Sequence, residues 1–199
     1  MKRNLLNFSM TLLFLLVMSF GFLPKILHEV LGIIWLLPVL IHLWLNKPWF
    51  TSFFKKLRHI GGILSPINIS LVILTATVII TGVIISNYLF KGWFGLDLAR
   101  NITVRRLHVS LPYLMLILTG LYLGIHFKGL WRQITKGKSL ILNSRRILFL
   151  RIGILILAAL GVYGSFLNRM GDCLMMKHIF ATEATNLPFW AYFLLLLGI

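Results

Sequence analysis

Long apolar runs separated by short basic connectors dominate the chain. The runs cover residues 5–23, 26–45, 66–90, 107–127 and 147–166, and a sixth opens near Pro188 with twelve residues left. A spanning helix needs about twenty predominantly apolar residues. The pattern therefore predicts an all-α integral membrane helical bundle, one domain over residues 1–199, with five or six transmembrane helices. The sixth is expected either to be incomplete or not to cross. The first run follows Met1-Lys2-Arg3-Asn4 and resembles the charged start and apolar middle of a signal peptide. No small-x-small cleavage pattern precedes the next span, so it is expected to remain as the first helix. The second run begins directly after Pro24, which predicts a tight hairpin of the first two helices.

Composition narrows the class. Hydrophobic residues make up 59% of the chain and mean hydropathy is +0.93, yet 20 Lys and Arg stand against 4 Asp and Glu, a formal charge of +16. The basic residues fall between the apolar runs. Topology and anionic headgroups account for them there, so membrane lipid is the expected partner and nucleic acid is not. Stretch 46–62 sets Lys47, Lys55, Lys56 and Arg58 beside Trp49, Phe50, Phe53 and Phe54, which reads as interfacial. Stretch 128–146 is a second basic connector. Cys173 is the single cysteine, which rules out an internal disulfide or a four-cysteine cluster, and it reads as an ordinary loop residue.

Lys and Arg also orient the bundle. The N-terminus and the connectors after spans two and four, with Arg151, hold thirteen, against seven on the other side. The richer side is cytoplasmic by the positive-inside rule, which puts the N-terminus inside. Spans two and four then both run inward and are parallel. His28 is expected at the depth of His108, and His42 near that of His126.

These four histidines are the candidate chemistry. His28 and His42 are fourteen residues apart, within about 40° of whole helical turns and separated by roughly 21 Å. His108 and His126 are eighteen apart, five whole turns. Two helices with an imidazole near each end fit haem, whose six-coordinate iron takes one imidazole from above and one from below. Zinc or di-iron would call for acidic or thiolate ligands nearby, and the spans offer only Glu29, turned about 100° from His28. Around the ligands, Gly32 and Gly124 admit either a porphyrin or a neighbouring helix. Pro112 frees the His108 carbonyl and Pro38 that of Ile34. Ser110, Thr119, Thr75, Thr77 and Thr81 are candidates to bond a ligand histidine's second nitrogen. Arg105 and Arg106 suit haem propionates, with lipid phosphate as a rival. His59 and His178, beside basic residues in connectors, are expected to be solvated.

The ordered set His28-Glu29-Val30-Leu31-Gly32, His42-Leu43-Trp44-Leu45-Asn46 with Trp49-Phe50, Arg105-Arg106-Leu107-His108 with Tyr113, and Leu121-Tyr122-Leu123-Gly124-Ile125-His126 resembles the flavinylation-associated cytochromes. These are small bacterial membrane b-type cytochromes, related in plan to cytochrome b and ferric-reductase transmembrane domains. Thr81-Gly82 with Ser86 resembles that family's Ser-Gly-x-x-x-Ser stretch. The likeness covers roughly residues 5–130. It implies a haem-binding core at about 24–130, additional helices over 131–199, and a location in the bacterial cytoplasmic membrane. It also implies electron transfer from quinol or a cytoplasmic-side donor to an extracytoplasmic flavinylated redox protein. Where the family's fourth motif commonly carries a further histidine, this chain has Tyr122. Two haems b are expected, or one if His42 lacks a partner. No nucleotide fingerprint or flavin domain is present, so the chain reads as an electron-transfer subunit of an oxidoreductase system rather than a complete enzyme. A cofactor-free membrane anchor or assembly subunit, and a metal or proton transporter using the histidines, are the rival readings.

Overall fold

The computed structural model describes residues 2–48, 52, 64–134, 144–167, 169–177 and 188–198, without the side chains of 2–4, 64, 65, 126–134, 144–147, 150 and 151. His59, His178 and most of the connectors at 46–62 and 128–146 lie outside the described residues. All regular structure among the described residues is helical: α1 (Lys2–Met18), a 3-10 turn (Phe20–Phe22), α2 (Lys25–Leu45), α3 (Leu64–Ile85), α4 (Leu96–Ala99), α5 (Ile102–Ile134), α6 (Ser144–Leu167), α7 (Met170–Leu174) and α8 (Phe189–Gly198). Lys25–Leu45, Pro66–Ile85 and Ile102–Ile125 are long and apolar enough to cross a membrane. Leu5–Met18, Ile152–Leu167 and Phe189–Gly198 are apolar but shorter. The described residues are thus all helical, and three of the helices have the length and composition of a membrane span.

The boundaries depart from the hydropathy pattern where polar groups intervene. The first apolar run is not one helix. It ends at Met18, Ser19 turns its Oγ back to the Leu15 carbonyl at 3.0 Å, and the 3-10 turn leads to Pro24, which opens α2. The third run stops as helix at Ile85 rather than continuing to Phe90, because the Ser86 hydroxyl and the N–H groups of Asn87 to Phe90 go to side chains instead of to the carbonyls of the preceding turn. α5 continues beyond residue 127 to Ile134, so Lys128 and Arg132 lie on the helix, where long basic side chains are good helix formers. At its start, Asn101 Oδ1 accepts the N–H of Thr103 at 2.8 Å and of Val104 at 3.3 Å. Cys173 is not a loop residue but is buried on α7, in the core with Met170 and Tyr113.

The helices pack in pairs. α1 and α2 form the expected hairpin, pinned midway by Trp35, which stacks on Phe14 at 5.6 Å and donates its Nε1–H to the Met10 carbonyl at 3.0 Å. α3 lies antiparallel to α5, with Thr75 Oγ1 beside Met115 sulfur at one level and Thr81 beside His108 at another. α6 and α8 approach so closely at Gly161, Gly164 and Gly198 that a Cβ on Gly198 would collide with the Gly161 backbone. Small residues are how membrane helices come this near. α8 docks on the first hairpin through Phe22, whose ring lies 5.1 Å from that of Tyr192.

Candidate functional site

The first hairpin and the α3–α5 pair meet at the start of α2. His28 and His108 face each other there, with ring centres 6.2 Å apart and ring planes at 89°. The two helices meet at matched depth, as the parallel arrangement predicts. Each imidazole is held from behind. His28 Nδ1 lies 3.1 Å from the Val17 carbonyl on α1, and its ring meets Phe20 edge-on at 5.9 Å. The Val17 carbonyl belongs to the last turn of α1, where a helix has no further amide to offer. His108 Nδ1 lies 3.1 Å from the Val78 carbonyl and 3.2 Å from Thr81 Oγ1, both on α3. Thr81 donates its own hydroxyl to the Thr77 and Val78 carbonyls, so its oxygen accepts from the ring.

A carbonyl can only accept, so both rings carry their proton on Nδ1. In the neutral ring the lone pair then sits on Nε2, which is the state a metal ligand requires. Gly82 completes the seat of His108. A Cβ there would lie 2.8 Å from the ring's Cε1. The missing side chain lets the imidazole lie against α3 and reach the Val78 carbonyl one turn back. A metal–imidazole bond of about 2 Å, plus roughly 1 Å from ring nitrogen to ring centre, puts two imidazoles on opposite sides of one ion about 6 Å apart. The observed 6.2 Å fits that arrangement.

Glu29, beside His28, has a role that the sequence did not suggest. Its carboxylate accepts Ser86 Oγ–H at 2.8 Å and the backbone N–H groups of Asn87 and Leu89 at 2.9 Å each, with Tyr88 N at 3.3 Å. Among the described residues no three His, Cys, Asp or Glu side chains gather into a metal-binding group.

At the other end of α2, His42 Nδ1 lies 3.1 Å from Asn7 Oδ1 on α1, so the amide oxygen holds this ring as Val17 holds His28. The His126 side chain, the expected partner of His42, lies outside the described residues. Tyr122 is half-buried. Compared with protein-family profiles, curated proteins and solved structures, the chain has no match.

The surrounding candidates divide. A Cβ on Gly32 or on Gly124 would meet nothing within 4 Å, so no described helix packs against either glycine. Arg105 is exposed and stands about 60° from His108 around α5, whereas Arg106 stands about 160° away. Arg106 Nε is buried without a hydrogen-bond partner among the described residues, as is Ser110 Oγ one turn on. Of the hydroxyls considered for a second ring nitrogen, Thr81 takes that place. Thr77 bonds back to the Ile73 carbonyl at 2.8 Å, and Thr75 turns to Met115 sulfur. Asn7 carries a signal that could have been read, being a lone amide in an apolar run at the level of His42. The Val17 carbonyl carries none, since a backbone acceptor is the same in every residue.

Proposed function

We propose that this chain is a membrane b-type cytochrome of five or six spans that relays electrons across the bacterial cytoplasmic membrane, with its N-terminus inside. Its donor is a quinol or a cytoplasmic-side reductant, and its acceptor an extracytoplasmic flavoprotein. The observation that carries the reading is the His28–His108 pair: ring centres 6.2 Å apart, with both Nδ1 positions occupied by backbone carbonyls. The resemblance to flavinylation-associated cytochromes supports the same assignment and supplies the electron route.

His28 and His108 would hold one haem. Bound there, haem would supply one-electron chemistry. The protein's part is orientation. Val17, Val78 and Thr81 fix the tautomer and the plane of each ring, and a proton held on Nδ1 by an acceptor raises the basicity of Nε2. Gly32, with open space over its Cα, leaves room beside α2 for a flat macrocycle. Arg105, on the His108 side of α5, is placed for a propionate, and Arg106 serves one only by reaching round the helix. A second haem would use His42, oriented by Asn7, with His126.

Membranes carrying the overproduced protein should be red, with a reduced-minus-oxidised spectrum of b type. His28→Ala and His108→Ala should each remove one whole haem from the purified protein. Colourless membranes holding the full amount of protein would end the assignment, as would both variants keeping wild-type haem content and a low-spin spectrum.

A further inference from the structure

The two imidazoles of the outer pair belong to different halves of the bundle. His28 is fixed within the α1–α2 hairpin by the Val17 carbonyl, and His108 within the α3–α5 pair by Val78 and Thr81. Holding each ring inside its own half does not set the gap between them. That gap depends on how the halves are joined at this end, and Glu29 makes the join.

The Glu29 carboxylate sits one residue from His28 and gathers donors from the end of α3: Ser86 Oγ–H at 2.8 Å, Asn87 N–H at 2.9 Å and Leu89 N–H at 2.9 Å. Ser86 Oγ in turn accepts the N–H of Phe90 at 3.0 Å, so the five residues from Ser86 to Phe90 fold around one anion. Ser86 lies one helical turn beyond Gly82, the residue against which the His108 ring rests. The join is therefore made next to one imidazole and one turn from the seat of the other. Hydrogen bonds to a carboxylate are roughly twice as strong as neutral ones. Three short ones converging on one group leave its position little freedom. An α3 that continued as helix through residue 90 would have spent these N–H groups on its own carbonyls, so the early end of α3 is what makes the clamp available.

We infer that Glu29 is a positioning residue that sets the separation and mutual angle of the His28 and His108 rings. Its effect passes through the end of α3. The geometry is testable without haem. Spin labels at Leu27→Cys and Thr103→Cys, on the exposed first turns of α2 and α5, in a Cys173→Ala background, report the distance between the two halves in the purified full chain. Glu29→Ala should lengthen and broaden that distribution. Glu29→Gln, which keeps one acceptor oxygen but turns an NH2 towards backbone donors, should fall between. Ser86→Ala, which removes one donor and leaves the backbone ones, should shift it in the same direction by less, and it serves if Glu29→Ala does not fold. An unchanged distribution in Glu29→Ala, or in Ser86→Ala where that variant must stand in, overturns the inference.

A second readout rests on the cytochrome reading. Near-perpendicular axial imidazoles give a highly anisotropic low-spin ferric resonance. Glu29→Ala should move that resonance towards the rhombic or high-spin form and lower haem occupancy at least twofold. A haem-loaded parent whose resonance is unmoved by Glu29→Ala refutes the positioning role and leaves the cytochrome reading standing. A parent without haem refutes that reading, and the label distances then decide the role of Glu29 alone.

Discussion

Gly82→Ala puts one methyl group where His108 now lies. The added Cβ would stand 2.8 Å from Cε1, 3.4 Å from Nδ1 and 3.8 Å from Nε2 of that ring. To restore ordinary contact the imidazole must retreat from α3 by about 0.6 Å, since a carbon pair much inside 3.5 Å is repulsive. Both acceptors of Nδ1–H are on α3, at 3.1 and 3.2 Å, so the retreat stretches both towards the limit of a hydrogen bond. Overpacking costs about 1–3 kcal/mol and weakening one hydrogen bond about 1 kcal/mol. A net loss of about 2 kcal/mol corresponds to roughly thirtyfold weaker haem binding. The assay is haem transfer from the purified protein to an excess of an apo haem acceptor, with the ferric spectrum recorded in parallel. Wild-type transfer rates and an unaltered spectrum in Gly82→Ala would refute the seating of His108 on α3.

Three further outcomes are expected. Gly32→Leu adds a side chain into space that no described residue fills; it should lower haem content while leaving the helical content of the apoprotein unchanged, and full occupancy in this variant would mean that the glycine faces lipid. His126→Ala should remove the inner haem and keep the outer one, and Tyr122→His in that background should restore it; a full haem complement in His126→Ala would instead make His126 an interfacial residue. Ser139→Cys and Gly95→Cys, probed in intact cells with a membrane-impermeant thiol reagent, should label only at position 95, and labelling at 139 alone would invert the orientation.

Depth and facing were legible in the sequence because both are properties of a single helix. Whole-turn spacing put His28 and His42 on one stripe, charge asymmetry made spans two and four parallel, and the pairing of His28 with His108 followed. Thr81 was legible as a second-nitrogen partner because a hydroxyl in an apolar span must bond somewhere. What escaped were contacts between helices: Asn7 to His42 across 35 residues, Glu29 to Leu89 across 60. Periodicity contains no information about which turn of one helix meets which turn of another. Hydropathy also extended the third run to Phe90, since it does not register that Ser86 and its neighbours spend their donors on a carboxylate from another helix. Ser19 also breaks the first apolar run, a turn that hydropathy does not register because the neighbouring residues stay apolar.

The first helix presents itself as a dispensable leader, a charged start followed by an apolar stretch, and genetic design commonly treats such segments as interchangeable. Here α1 offers the Val17 carbonyl to His28 and the Asn7 amide to His42, ten residues apart along one side. A heterologous leader substituted for it would carry the chain to the membrane and still lack the Asn7 amide that orients His42. Any secretion tag added to this protein therefore belongs ahead of Met1, in series with the native helix and never in its place.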